Sequence, residues 1–137
     1  MTCLDTKVDL MAVAKRMREL PQVECPLEHF FSEGIYVRQI LMPAGAYVVG
    51  KKHKTTHLNV IIAGSVDILL DGGGSETLTA PFTFESVAGV QKALFIRETC
   101  IWQTVHLNPE NITDIPTLED LLVISDELEC AESKELT

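Results

Sequence analysis

No apolar run in this chain of 137 residues approaches the roughly 20 residues that a membrane-crossing helix needs. The N-terminal stretch MTCLDTKVDL also lacks the basic-then-apolar order of a secretory leader, so a cytoplasmic protein is expected, with no membrane partner. Cysteine is sparse and scattered. Cys3, Cys25, Cys100 and Cys130 contain no C-x-x-C pair, which argues against a zinc ribbon and against a disulfide framework. Free thiols in a reducing compartment are the simpler reading. Basic clusters are scarce as well: only Lys51, Lys52 and Lys54 lie together. Nucleic-acid binding needs a concentrated basic surface that displaces counterions, so no nucleic-acid partner is expected. Ser/His/Asp sets, phosphate loops and paired-carboxylate motifs are missing too, which removes the usual hydrolase and NTPase readings.

The net charge of −9 is unevenly spread. From Glu110 onward nine acids face a single base, Lys134, whereas residues 1–109 carry eleven acids and ten bases. The body is nearly neutral and the tail is acidic, as expected of a solvated segment. A length of 137 residues with 46% apolar residues suits one compact domain able to bury a core without disulfide or metal staples.

The stretch 6–20 has helical periodicity. Leu10, Val13, Ala14, Met17 and Leu20 share a face, Thr6 and Asp9 form a capping pair, and Pro21 ends the run. It reads as an arm covering one end of the fold, or as an arm exchanged between two copies. From Gly34 the texture changes to short apolar runs divided by turn residues, the pattern of an all-β domain. Strands are expected near 35–42, 45–50, 57–63, 65–71, 75–80, 92–97 and 100–107. Gly64-Ser65 and Glu98-Thr99 would be tight hairpin turns between them, although Glu-Thr is a poor two-residue turn sequence. After Asn108-Pro109 a short helix is expected over 117–123, followed by a mobile tail over 126–137. Many short strands with one strong helix favour a closed or double-sheet β architecture, which commonly encloses a ligand cavity.

Three of the four histidines carry the candidate chemistry; His29 is given no role. His53, His57 and His106 fit a catalytic-type site of three imidazoles with open positions, since neutral imidazole suits zinc, iron, nickel or copper. Geometry sets a condition. Four residues of regular strand span roughly 13 Å, so His53 and His57 can share an ion only if Lys54-Thr55-Thr56 folds back. Alternation places His57 and Asn59 on one face, and Cys100, Trp102, Thr104 and His106 on another. A face mixing Trp, Thr and His reads as a cavity lining. The alternative is three separate surface or hydrogen-bonded core histidines.

Several runs carry a resemblance to a known family. They are Cys25-Pro26, Gly34-Ile35-Tyr36-Val37-Arg38, Pro43-Ala44-Gly45, Gly50-Lys51-Lys52-His53 and His57-Leu58-Asn59 with Gly64. Ala80-Pro81, Ala88-Gly89 and Trp102-Gln103-Thr104-Val105-His106 complete the series. Over roughly residues 24–110 the chain resembles the cupin superfamily, and more specifically small cupin-like proteins of unknown function from tailed phages and prophages. The resemblance implies a cupin-type jelly-roll barrel over 24–110, flanked by the helical arm of 1–23 and by a short helix and acidic tail over 111–137. In the first cupin motif, a glycine, H-x-H, a glutamate and a closing glycine, Gly50 and Gly64 match the ends. His53 matches the second histidine, Lys51 replaces the first, and His57 lies about where the glutamate belongs. In the second motif Lys92 replaces the histidine. The ligand set is incomplete, which weakens transfer of any cupin enzyme activity.

His106 is the candidate replacement. In a hairpin around Glu98-Thr99 it would face Gln91, or Lys92 after a one-residue slip; the register stays open. A divalent transition metal (zinc, iron, nickel or manganese) on His53, His57 and His106, with Lys92 or Arg38 nearby, implies an anionic or carbonyl-bearing ligand. Tyr36, Arg38, Asn59, Lys92 and Trp102 are the candidate ligand-binding residues, with the alternative that Arg38 is exposed and Tyr36 only packs. Three functions follow: a metal-dependent enzyme or metalloprotein, a non-catalytic module that sequesters a metabolite or nucleotide, and a structural homo-oligomer, most simply a dimer, with a vestigial pocket. The fold alone does not choose among them.

Overall fold

The computed structural model describes residues 12, 15, 16, 19, 21–50, 52–70, 73–123 and 129–132. The helical arm expected over 6–20 falls almost wholly outside them. Eight strands and one helix are described: β1 Leu27–Ser32, β2 Ile35–Met42, β3 Ala46–Val49, β4 His57–Leu70, β5 Ser75–Thr79, β6 Phe82–Ser86, β7 Lys92–Leu107, α1 Ile115–Leu122 and β8 Glu129–Glu132. All pairings are antiparallel.

Two long strands organise everything else. β4 and β7 run beside each other from Leu58↔Val105 to Leu70↔Lys92, and each changes its outer neighbour half-way. The first part of β4 pairs β6 and the later part pairs β5. The later part of β7 pairs β2, and its early part pairs β3. One half of the sheet therefore reads β1-β2-β7-β4-β6 and the other β8-β3-β7-β4-β5. Irregular register between Ile61 and Val66 marks the bend where the halves meet.

This arrangement corrects two expected hairpins. Gly64-Ser65 is not a turn: β4 is continuous through it, and Gly64 takes a positive φ of 88° inside the strand. A glycine within a strand marks a bulge or a close backbone approach as readily as a turn, and here it marks both. Glu98-Thr99 is likewise no turn, because β7 continues through it. His106 consequently lies opposite Tyr36 of β2, not opposite Gln91 or Lys92.

The expected barrel is also corrected. No hydrogen-bonded path among the described strands closes the sheet on itself. β1 and β6 were not anticipated; Phe82 and Phe84 alternate with Thr83 and Glu85 in the proper period, but the run is short. Part of the supposedly mobile acidic tail is strand β8, which pairs Ala46–Val49. β3 would otherwise present an unpaired row of N–H and C=O groups, and residues 129–132 supply the missing partner.

The core lies between the inner faces, with Met42, Val48, Ile61, Val66, Ile96 and Cys100 almost fully buried. α1 forms its own small cluster, in which Leu118 and Leu122 pack on Tyr36. Asp114 caps the helix by accepting a hydrogen bond from the Thr117 N–H at 3.1 Å, and proline stands in the first turn, where no N–H is needed. No described helix is long and apolar enough to cross a membrane.

Candidate functional site

His53 lies outside the strands, on a single bridge to Val123 just past α1. Three further contacts fix the segment. The Lys54 N–H donates to the Leu122 carbonyl at 2.7 Å, Lys54 Nζ donates to the Asp120 carbonyl at 2.7 Å, and the His53 carbonyl accepts from the Gly89 N–H at 2.8 Å. With Lys54 and Thr55 in a bend, the chain doubles back before β4 starts at His57. The His53 and His57 ring centres consequently lie 4.1 Å apart.

His106 reaches the same place from the far end of β7. Its ring centre is 5.1 Å from that of His53 and 5.0 Å from that of His57. One ring nitrogen from each of the three lies within 4.8 Å of the others, and all three residues are buried. Burial pulls the His53 imidazole down to about 2, reinforced by the positive charge its neighbours would carry. Burial first and His57 second bring His106 down to about 4. His57 is lowered too, mainly by burial, against an opposing hydrogen bond from its Nδ1 to the Thr55 carbonyl at 3.0 Å.

The cluster is therefore neutral at pH 7 and rich in lone pairs. Donation of Nδ1–H to the Thr55 carbonyl leaves His57 Nε2 as an acceptor, the usual way a ligating histidine is oriented. Among the described residues His53 Nδ1 and His106 Nδ1 are buried without a hydrogen-bond partner, a costly condition that a metal ion would relieve. Nitrogens on one ion stand no more than roughly 4.2 Å apart, so the observed spread closes with a small rotation of the rings. The donor set fits a divalent transition metal.

A cavity of about 70 Å³ opens beside His53 and His57. Its wall combines apolar Ile40, Met42, Leu94 and Trp102 with Thr104, Asn59, Arg38 and Lys92, and contains no carboxylate among the described residues. Burial brings the Lys92 ammonium down to about 8. Its Nζ lies 6.0 Å from the centre of the Phe84 ring.

The five expected ligand-binding residues divide into three groups. Arg38 and Lys92 are both in the cavity lining and are its two basic residues apart from the histidines. Asn59 and Trp102 line it too, but their polar atoms are engaged in the wall. Trp102 Nε1 donates to Asn59 Oδ1 at 3.1 Å, and Asn59 Nδ2 donates to Ser86 Oγ at 2.8 Å. Tyr36 is not part of the wall. It is buried behind His106, its ring centre 6.0 Å away, and shares a 2.7 Å hydrogen bond with His29 Nδ1. The packing alternative thus describes Tyr36, and burial pushes its phenol up to about 12. His106 is itself absent from the cavity wall and stands against His53 and His57, which line it.

Three contributors escaped the sequence reading. His29 was given no role, yet it partners Tyr36. Ser86 holds Asn59, and its signal was the unread alternation of β6. The third is α1, whose last turn fixes the His53 segment; no local pattern announces a contact between residues nearly seventy positions apart.

The assembled sheet and cavity define a class. No protein-family model matches the chain, and no curated protein matches it in sequence. Solved structures do match in fold. A protein from Neisseria meningitidis superposes with a TM-score of 0.54 at 15% identity, over 69% of this chain and 96% of that one. The cupin domain of Schizosaccharomyces pombe Cnp3 gives 0.52 at 15% identity, over 76% and 71%. A cupin superfamily protein from Desulfitobacterium hafniense gives 0.52 at 12% identity, over 64% and 80%. The architecture is that of cupin domains.

Proposed function

We propose that this chain is a metal-capable, small-molecule-binding protein of cupin fold. His53, His57 and His106 hold one divalent transition metal, and the adjoining cavity takes a small anionic or carbonyl-bearing ligand. The observation that carries this reading is the convergence of three buried, neutral imidazoles within 4.8 Å. An all-nitrogen set favours zinc, iron or nickel over magnesium or calcium.

The cavity narrows the ligand. Arg38 and Lys92 line a wall in which no described residue is a carboxylate, which favours an anion. A volume of about 70 Å³ holds on the order of five to seven water-sized groups, enough for a short acid and too little for a nucleotide. Arg38 and Lys92 would hold the negative charge, while Ile40, Leu94 and Trp102 exclude water around the carbon chain. A bound metal would polarise a ligand oxygen as a Lewis acid. The phage-type resemblance supports a role in a host cytoplasm.

Elemental analysis of protein purified without chelator tests the reading. One zinc, iron or nickel per chain is expected, lost in His57→Ala. Substoichiometric metal, or occupancy unchanged in that variant, overturns it.

A second reading, a homodimeric assembly role, is favoured by the outer sheet face. Phe30, Val37, Val105 and Leu58 form one apolar row across four strands, with Phe30 and Leu58 each 45% exposed and Leu107 81% exposed. A dimer in light scattering at micromolar concentration supports it; a monodisperse monomer removes it.

A further inference from the structure

Each of the three imidazoles needs something to keep its ring in line, and two of the holds are plain. His57 has the Thr55 carbonyl on its Nδ1, and His53 is clasped through its backbone by Gly89 and by the end of α1. His106 has neither. Its Nδ1 makes no hydrogen bond among the described residues, and its backbone is a regular part of β7. An imidazole held only by its backbone can turn about its side-chain bonds, so its orientation must come from packing.

That packing is a row of rings across the sheet. Phe31 of β1 stands opposite Tyr36 of β2, and Tyr36 stands opposite His106 of β7. On the other side of His106, His57 of β4 lies one step beyond the Leu58↔Val105 pair. Ring centres are 5.3 Å apart for Phe31 and Tyr36, 6.0 Å for Tyr36 and His106, and 5.0 Å for His106 and His57. The Tyr36 and His106 planes lie within 19° of each other, an offset stack. His106 is thus flanked by another member of the cluster on one side and by Tyr36 on the other. Tyr36 has little room to give way. It is buried, Leu118 and Leu122 pack on it, and its hydroxyl shares the 2.7 Å hydrogen bond with His29 Nδ1. His29 reaches it from the diagonal position on β1, its ring centre 5.8 Å away.

We propose, resting on the metal reading of the cluster, that Tyr36 is the positioning residue for His106 and that His29 locks it. The phenol ring backs the imidazole and keeps it turned toward His53 and His57, while the bond to His29 fixes the tilt of the phenol. Neither residue lines the cavity.

The test uses the full chain and variants that spare the core. Tyr36→Phe removes only the hydroxyl, and His29 is half-buried on the edge strand β1, so His29→Ala leaves the interior intact. Zinc affinity is read by competition with a chromophoric chelator, ligand geometry by the visible spectrum of the cobalt(II)-loaded protein, and stability by urea. Loss of a partner that orients a ligating histidine typically weakens metal binding about 10–100-fold, and with the bond acting one contact further out a loss of about tenfold is expected in each variant. The double variant should be no weaker than either single one, because both break the same bond. The cobalt bands should move in Tyr36→Phe and His29→Ala. His29→Asn, whose amide places a polar atom where Nδ1 stood, should restore both the affinity and the bands. Wild-type affinity in both single variants overturns the proposal, as does a loss that follows the fall in stability and is not reversed in His29→Asn. Additive losses in the double variant overturn the lock given to His29. If the wild-type protein takes up no zinc, the metal reading falls by itself and the positioning role is decided on metal-free protein. There the His106 ring signals in imidazole NMR spectra should shift and broaden in His29→Ala, and signals identical to wild type overturn the proposal.

Discussion

Gly64 faces Thr99 across the bend so closely that a Cβ at position 64 would stand 2.2 Å from the Thr99 carbonyl oxygen. The Glu98 carbonyl oxygen and Cys100 Cα would be 2.6 and 2.8 Å away, so the obstruction is backbone and cannot swing aside. The positive φ of 88° adds a conformational penalty for any other residue. Gly64→Ala is therefore expected to destabilise the fold by about 3 kcal/mol or more, measured by urea denaturation. Gly34→Ala is the contrast. It also has a positive φ, 73°, but nothing lies within 4 Å of its added Cβ, so it should cost only about 1 kcal/mol.

The same glycine shows what the sequence could convey. Apolar runs on both sides of Gly64 were legible as strands, and their alternation correctly put His57 and Asn59 on one face, and Trp102, Thr104 and His106 on another. A local pattern does not distinguish a glycine that ends a strand from one that lets two long strands cross. The hairpins expected at Gly64-Ser65 and Glu98-Thr99 failed for that reason, and the proposed facing of His106 with Gln91 or Lys92 failed with them. The fold-back of Lys54-Thr55-Thr56 was stated as a geometric condition for His53 to meet His57, and the bend at Lys54 and Thr55 meets that condition. What imposes it is the end of α1, a contact that periodicity does not encode. β8 was hidden because an acidic sequence read as solvated, whereas the unpaired edge of β3 decided its structure.

Asn59 and Trp102 should behave as one unit. The Trp102 N–H has Asn59 Oδ1 as its acceptor, and Asn59 is itself held by Ser86 and by the Phe84 carbonyl at 3.3 Å. Asn59→Ala leaves a buried indole N–H unsatisfied and is expected to cost about 1–3 kcal/mol. With Trp102→Phe already in place, the same change should cost less. A double-mutant cycle in urea should show coupling of at least about 0.5 kcal/mol, and additive losses would exclude the pairing.

Acid should weaken the metal-free protein earlier than its carboxylates alone would. His53 and His106 titrate at about 2 and about 4 in the folded chain because burial opposes their charged forms. Well above pH 6.5, from about pH 7.5, the imidazoles are neutral in both states and contribute no pH dependence. Between pH 6.5 and about 4 the unfolded chain binds protons that the folded chain refuses. Stability then falls by up to about 1.4 kcal/mol per pH unit for each histidine. Below about 4 His106 takes its proton in the fold and its contribution levels off. Urea titrations at pH 7, 6 and 5 should show this slope in wild type and a shallower one in the His53→Asn, His106→Asn double variant. Parallel slopes would contradict the assigned burial. Protons compete with metal for the same lone pairs, so a metal held as proposed on these histidines should be released over the same range.

The helix that braces His53 gives a test separating site geometry from general stability. Leu118 is 2% exposed and packs α1 on Tyr36, while the last turn of α1 holds the Lys54 N–H through the Leu122 carbonyl. Leu118→Ala is expected to destabilise by about 2–4 kcal/mol through the cavity it leaves. It should also free His53 from its position beside His57, so that zinc loaded at the proposed site is lost more readily to a competing chelator. Leu78→Ala supplies the comparison, since Leu78 is 6% exposed on β5 and lies in the main core apart from the helix cluster. It should lower stability by a similar amount and leave zinc retention of the folded protein unchanged. Loss of zinc in the Leu118 variant alone identifies α1 as the element that positions the first imidazole. Equal loss in both would mean that the site follows global stability and that the helix has no special hold on it.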